Sequence, residues 1–279
     1  MLFGFGLLAS QLFCADEPKL NIDGVKENIE FAAPDGGSLK LDAHVPDGPG
    51  PFAACILVHG GGWRNGNKRV YITPLFEPLT KAGFVWFTVN YRLAPAHRWP
   101  ACAEDVAAAV KWVKAHAAEY KVDPKRIALI GESAGAHLVA WIGTQKDPET
   151  SVAAVVPFYS PGDLELQTKK TGTVGDAMGA LLGLTELNED ARKALRAASP
   201  IDQIKAGMPP FLLIHGDNDQ MVPYEQSPLF QAKMKAAGNV CDLITVPGGG
   251  HGMGGWDKLK SDYREQLVKW LREKLEQSK

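Results

Sequence analysis

Cysteine is scarce in this chain, and the few present build no framework. Cys14, Cys55, Cys102 and Cys241 are the only four among 279 residues. Their scattered spacing matches neither a zinc site nor a disulfide scaffold. Cys55 lies within an apolar run and reads as a small core residue. An excess of one charge is also lacking, since 30 basic residues against 32 acidic ones leave a formal net charge of −2. With no basic block of five or more, nucleic acid is not the expected partner. The one long apolar run, Met1 to Phe13, falls short of the roughly 20 residues that a spanning helix needs. The mature chain is therefore expected to hold no integral membrane segment. Internal repeats and low-complexity tracts are missing too, which removes solenoid and linker-type readings.

What is present is a 45% hydrophobic composition, enough for a substantial core, in a chain whose length suits one α/β domain. Met1 to Phe13 followed by Cys14-Ala15 and Asp16-Glu17-Pro18-Lys19 has the apolar-then-polar profile of a secretory signal. Residues 1–15 are accordingly expected to be a signal peptide, and 20–279 the single domain of a periplasmic or extracellular protein. No Lys or Arg precedes the run, and Phe13 is bulky for cleavage after Ala15. A misassigned start would explain both and would leave the protein cytoplasmic.

Residues 24–33 and 39–45 read as a hairpin around Pro34-Asp35-Gly36-Gly37. Strands are expected over 52–58, 84–91, 126–130, 152–159, 211–214 and 242–246. Helices are expected over 102–120, 134–143, 224–237 and 256–275, the last with Leu259, Tyr263, Leu267, Leu271 and Leu275 on one stripe. Buried strands alternating with helices imply an α/β fold with a mainly parallel central sheet covered on both faces. Residues 160–198 break the alternation. They read either as a small cap-like insertion, with Leu181 and Leu182 lining the mouth of a site, or as surface helices packed on the sheet edge.

Gly131-Glu132-Ser133-Ala134-Gly135 sits where a strand passes directly into a helix, the setting that exposes a nucleophilic serine on a sharp turn. Serine is a weak nucleophile without a positioned base. His137 lies one helical turn further along the same helix and points away from the hydroxyl. His215 ends an apolar strand and reads as a loop anchor. His251, in Gly248-Gly249-Gly250-His251-Gly252-Met253 after the last strand, is the expected base in the order nucleophile, acid, histidine. For the acid, His215-Gly216-Asp217-Asn218-Asp219 offers two residues. Asp217 is well placed as a turn-former, so the reading favours Asp219. His59-Gly60-Gly61-Gly62-Trp63 follows another buried strand. Its backbone N–H groups, with that of Ala134, are the expected oxyanion donors. Trp63, Tyr224, Met253 and Trp256 fall near these loops and are the candidate substrate-binding residues.

The full set of motifs resembles the α/β-hydrolase fold, in the hormone-sensitive-lipase-like and bacterial feruloyl/acetyl-esterase (BD-FAE-like) carboxylesterases. The matching residues are His59-Gly60-Gly61-Gly62-Trp63, Tyr91-Arg92-Leu93-Ala94-Pro95, Trp99-Pro100 with Glu104-Asp105, Gly131-Glu132-Ser133-Ala134-Gly135, His215-Gly216-Asp217-x-Asp219-x-x-Val222-Pro223 and Gly250-His251-Gly252. The resemblance implies a Ser133–Asp219–His251 triad with Gly61, Gly62 and Ala134 at the oxyanion hole. It also implies a structural role for Tyr91-Arg92 with Asp105, and neither cofactor nor metal. Glu132 replaces the Asp common in the hormone-sensitive-lipase group, and that group's long N-terminal cap helices are missing. Both differences point to the compact esterases and to short-acyl or aromatic-acid esters, acetyl or feruloyl groups on polysaccharide among them. The expected partner is thus a small-molecule or polysaccharide-linked ester. Amide hydrolysis of the arylformamidase or peptidase kind, and a non-catalytic ligand-binding role, are the alternatives.

Overall fold

The computed structural model describes residues 17–169 and 171–276; the expected signal segment, with Cys14, lies outside them. Among the described residues one sheet runs in the order β1-β2-β4-β3-β5-β6-β7-β8. Its strands are β1 (Val25–Ala32), β2 (Leu39–His44), β3 (Phe52–Val58), β4 (Val85–Val89), β5 (Val122–Glu132), β6 (Ala154–Phe158), β7 (Phe211–Gly216) and β8 (Cys241–Val246). β1 and β2 form the expected hairpin, and β2 also pairs antiparallel with β4. Every pairing from β4 through β8 is parallel. This is the mainly parallel sheet that the strand–helix alternation implied, with the antiparallel start expected of the hairpin, and it agrees with the α/β-hydrolase fold implied by the motif resemblance.

Alternate residues of the central strands feed two cores, as the two-residue side-chain period requires. Ala54, Ile56 and Val58 of β3 join one cluster with α2 (Ala101–Ala115) and α3 (Ala134–Thr144). Ala53, Cys55 and Leu57 join the other, with α1 (Phe76–Lys81) and α9 (Tyr263–Glu276). Cys55, Cys102 and Cys241 are buried free thiols.

Two helices are shorter than their apolar stripes suggest. α2 stops at Ala115, because Ala117 and Tyr120 turn into the core and the Val122 N–H donates to the Ala117 carbonyl at 2.8 Å, which starts β5 early. The C-terminal stripe splits into α8 (Trp256–Leu259) and α9, with Lys260 out of helical conformation between them at φ −146° and ψ 85°. Trp256 causes the split: its ring is buried against Tyr159 and Tyr263, and its Nε1 donates to the Gly250 carbonyl at 3.1 Å.

Residues 160–198 hold α4 (Leu164–Lys169), α5 (Asp176–Leu182) and α6 (Glu189–Ala197). Leu164, Met178, Leu181 and Leu195 are buried in the same core as α2 and α3. Glu165 joins α4 to α6 through Arg192 at 3.1 Å and Arg196 at 2.8 Å. The Trp99 N–H donates to the Leu181 carbonyl at 2.9 Å. Leu181 and Leu182 pack inward, and Ala177 is the residue of this stretch that reaches the cavity above Ser133. The remaining helix, α7 (Gln226–Ala236), lies between β7 and β8. Among the described residues no helix is long and apolar enough to cross a membrane.

Candidate active site

Because β3 to β8 run parallel, the loops leaving β3, β5, β7 and β8 emerge at one edge of the sheet, the usual place for a ligand in such folds. Ser133 occupies the turn from β5 into α3 with φ 53° and ψ −116°, a conformation that side-chain-bearing residues rarely adopt. Its flanking glycines are steric necessities. A Cβ on Gly131 would run into the Gly135 backbone, and one on Gly135 into the carbonyls of Val58 and His59. The elbow is therefore pressed against the β3 loop by the absence of side chains.

The expected residues meet here. The Ser133 hydroxyl lies 2.9 Å from His251 Nε2, and His251 Nδ1 lies 2.7 Å from Asp219 Oδ2. Asp219 Oδ1 accepts the N–H groups of Met221 and Val222 at 2.8 and 2.9 Å. Burial alone would raise this carboxyl, but hydrogen bonds from His215, His251 and the Val222 N–H hold it well below the usual carboxylate range. With Asp219 ionised, the His251 proton belongs on Nδ1, which leaves Nε2 free to accept from Ser133. Asp217 instead accepts the Gly248 N–H at 2.6 Å and ties the acid loop to the loop that carries His251.

His215 supports the same carboxylate. It is fully buried, and its Nδ1 accepts from Ser227 Oγ at 2.8 Å. Its Nε2 then donates between Asp219 Oδ2 at 3.3 Å and the Val222 carbonyl at 3.2 Å. His137 faces the other way: Nε2 donates to the Ala198 carbonyl at 2.8 Å, and Trp63 and Trp99 crowd its ring. Burial pushes it down to about 4.

The glycine loop is held from two directions, by Tyr91, whose neighbour Arg92 is itself anchored, and by Glu132. Tyr91 donates to the carbonyls of His59 and Gly60 at 3.0 and 3.2 Å and stacks on the His59 ring at 4.3 Å. Arg92 binds Asp105 at 2.8–3.0 Å. The Gly60 N–H donates to Glu132, the residue before the serine. Gly61 and Gly62 have φ of 102° and 61° and line the cavity with Ser133. Ala134 is the first residue of α3, so its N–H has no acceptor within the helix.

Sequence reasoning misses Glu132 as a site residue, yet it is a hub. Burial pushes its carboxyl up to about 7 against the pull of the Gly60 N–H and the Tyr159 hydroxyl, which donates to it. Tyr159 has φ 38° and sits edge-on to His251 at 4.8 Å. One carboxyl thus links the glycine loop to the ring that backs the histidine. Its place beside the serine is the one signal in the sequence; its depth of burial cannot be read there.

The cavity above Ser133 holds about 600 Å³ and is lined by Gly61 and Gly62, Gly252 and Gly254, Glu132, Tyr159, Ala177, His251 and Met253, with Arg64, Asn65, Tyr71, Thr73, Pro74 and Met221 toward the rim. Of the four candidate substrate-binding residues, only Met253 lines it. Trp63 is buried against His137, Trp256 plugs the space behind Tyr159, and Tyr224 hydrogen-bonds Thr245 and abuts His215. Large aromatic side chains beside these loops are consumed by packing.

Known proteins place this geometry in context. The family comparison matches BD-FAE over residues 41–234. Esterase LipC of Mycobacterium tuberculosis is 33% identical over 221 residues, covering 75% of this chain and 54% of its own. An acetylxylan esterase of Xylanibacter ruminicola is 26% identical, covering 85% of this chain and 49% of its own. The chain spans about half the length of the curated relatives it matches. Among solved structures, a truncated carbohydrate esterase from gut microbiota superposes with a TM-score of 0.80 at 28% identity, covering 90% of this chain and 96% of that one. Propionate-bound esterase 2 of Thermogutta terrifontis gives 0.73 at 28%, covering 90% and 94%. With its glycine loop, serine elbow and acid loop all inside the matched span, the chain belongs to the BD-FAE family of α/β-hydrolases.

Proposed function

We propose that this protein is a serine carboxylic ester hydrolase of short-acyl esters, acetyl groups on polysaccharide foremost. The observation that carries the proposal is the unbroken chain Ser133 Oγ, His251 Nε2, His251 Nδ1, Asp219 Oδ2, with steps of 2.9 and 2.7 Å, opening into a cavity of about 600 Å³. The acetylxylan esterase among the relatives and the propionate-bound structural neighbour support a short acyl group and, for the former, a carbohydrate alcohol.

In the proposed reaction Ser133 attacks the ester carbonyl while His251 takes its proton on Nε2. Asp219, ionised at working pH, stabilises the imidazolium that forms. The N–H groups of Gly61, Gly62 and Ala134 receive the developing oxyanion; each such donor is worth roughly a hundredfold or more in rate. His251 then protonates the leaving alcohol, and water enters by the reverse sequence to release the acid.

Ser133→Ala is expected to abolish hydrolysis of p-nitrophenyl acetate and labelling by a fluorophosphonate while the protein stays folded by circular dichroism. Residual turnover above that of the buffer would refute the assignment of Ser133.

A further inference from the structure

The segment between the glycine loop and α1 is built to hold one aromatic ring in water. Tyr71 is 53% exposed, has φ 67°, and stands at the centre of a tight turn closed by the Ile72 N–H on the Val70 carbonyl at 2.8 Å. An i to i+2 turn around a residue of positive φ is rare and strained, and such strain persists only where the surroundings enforce it. Here they do so from both sides. Just before Tyr71, Lys68 is wholly buried, its Nζ held by Asn28 at 2.9 Å, by Asp42 at 3.4 Å and by Glu17. Arg69 Nε meets Asp42 at 2.6 Å, and the backbone of Lys68 is fixed by Asn90 at 2.7 Å and by Thr88 at 2.5 Å. On the other side Ile72 and Leu75 are fully buried.

The ring that this frame presents has no aromatic contact and no side-chain hydrogen bond among the described residues. Of the exposed large apolar side chains among the described residues, only Tyr71 and Met221 line the cavity above Ser133. Beside Tyr71 in the same lining stand Arg64, Asn65 and Thr73, all exposed, whose side chains have no hydrogen-bond or ion-pair partner among the described residues. A flat apolar face set among unengaged donors and acceptors suits a ligand that is itself two-faced. A pyranose ring has that character, with C–H groups on its faces and hydroxyls around its edge. A plain aliphatic chain would leave the polar neighbours unsatisfied.

We infer that Tyr71 is a preorganised stacking platform for a sugar ring of the ester substrate, with Arg64, Asn65 and Thr73 hydrogen-bonding its hydroxyls. This rests on the ester-hydrolase reading of Ser133 and names the substrate class that the same cavity selects.

The test compares kcat/KM on acetylated xylotriose with kcat/KM on ethyl acetate, which has no ring to stack. Tyr71→Ala is expected to lower the ratio of the two about tenfold, mainly through KM for the sugar ester, and Tyr71→Trp to restore most of it. An unchanged ratio in Tyr71→Ala, or a wild-type protein that cleaves ethyl acetate but not acetylated xylotriose, would overturn the platform. A wild-type protein that cleaves neither would instead overturn the ester-hydrolase reading on which it rests.

Discussion

At the scale of single residues, Glu132 shows how one buried group can serve two loops. Its carboxyl receives the Gly60 N–H on one side and the Tyr159 hydroxyl on the other. Removing it would leave a buried donor without a partner, which costs ~1–3 kcal/mol, and would free the Gly60–Gly62 backbone to drift. On the proposed mechanism, in which Gly61 and Gly62 donate to the oxyanion, the loss belongs to the transition state more than to substrate binding. Glu132→Ala is therefore expected to lower kcat by about ten- to a hundredfold with KM changed little, because oxyanion stabilisation is what is lost. Glu132→Gln, which keeps an acceptor for Gly60, should recover most of the rate. Steady-state kinetics on p-nitrophenyl acetate measure both, and an equal defect in the two variants would show that the Gly60 contact is immaterial. Tyr71 is less legible still, without even a motif beside it. Val70-Tyr71-Ile72-Thr73 reads as an apolar patch with no assignment, and only the closed loop turns that ring outward while burying its neighbours.

At the scale of elements, the apolar runs and their two-residue period made the strands legible. The Gly-x-Ser-x-Gly turn made the junction of β5 with α3 legible for a different physical reason, since its glycines mark where backbones press together too closely for any side chain. What the pattern could not convey was competition for space. The stripe from Trp256 to Leu275 looks like one helix, yet Trp256 is drawn inward to support Tyr159 and the His251 loop, and the helix breaks behind it. Trp63 and Tyr224 likewise sit at the right loops but are taken up by His137, Thr245 and His215. Glycine, by contrast, signals closeness directly. Gly135 lets α3 lie against the end of β3, where a methyl group would strike the backbone carbonyls of Val58 and His59. Carbonyls in a buried strand end cannot rotate aside as a side chain would. Gly135→Ala is thus expected to displace α3 and to destabilise the fold by about 1–3 kcal/mol, the usual cost of overpacking, while activity falls with the shift of Ser133. Thermal melting and the rate on p-nitrophenyl acetate should both respond; an unshifted melting temperature would mean that the helix and strand do not press together.

At the scale of the whole molecule, buried titratable groups set the response to acid. Burial pushes His59 and His137 down to about 4, whereas in the unfolded chain each titrates near ~6.5. Between these values the unfolded state binds more protons than the native state, so stability falls as pH falls, by about 3 kcal/mol for each histidine if every pKa unit counts about 1.4 kcal/mol. Glu132 acts in the opposite sense. Its native carboxyl titrates at about 7 against ~4.3 unfolded, so it takes up its proton earlier in the folded state and returns about 3 kcal/mol over the same range. The cost from Asp219 enters only at lower pH, because its carboxyl is held below the ordinary range. Between pH 7 and pH 4.5 these titrations are only partly traversed, for about two and a half kcal/mol from each histidine and slightly more from the glutamate, so these three groups cost the wild-type protein about 2 kcal/mol and Glu132→Gln, without the counterweight, about 5. Urea unfolding at the two pH values measures each difference on one protein, so the variant's own change in stability cancels. A Glu132→Gln protein with the same acid loss as the wild type would show that the Glu132 carboxyl does not take up its proton earlier in the folded state than in the unfolded one.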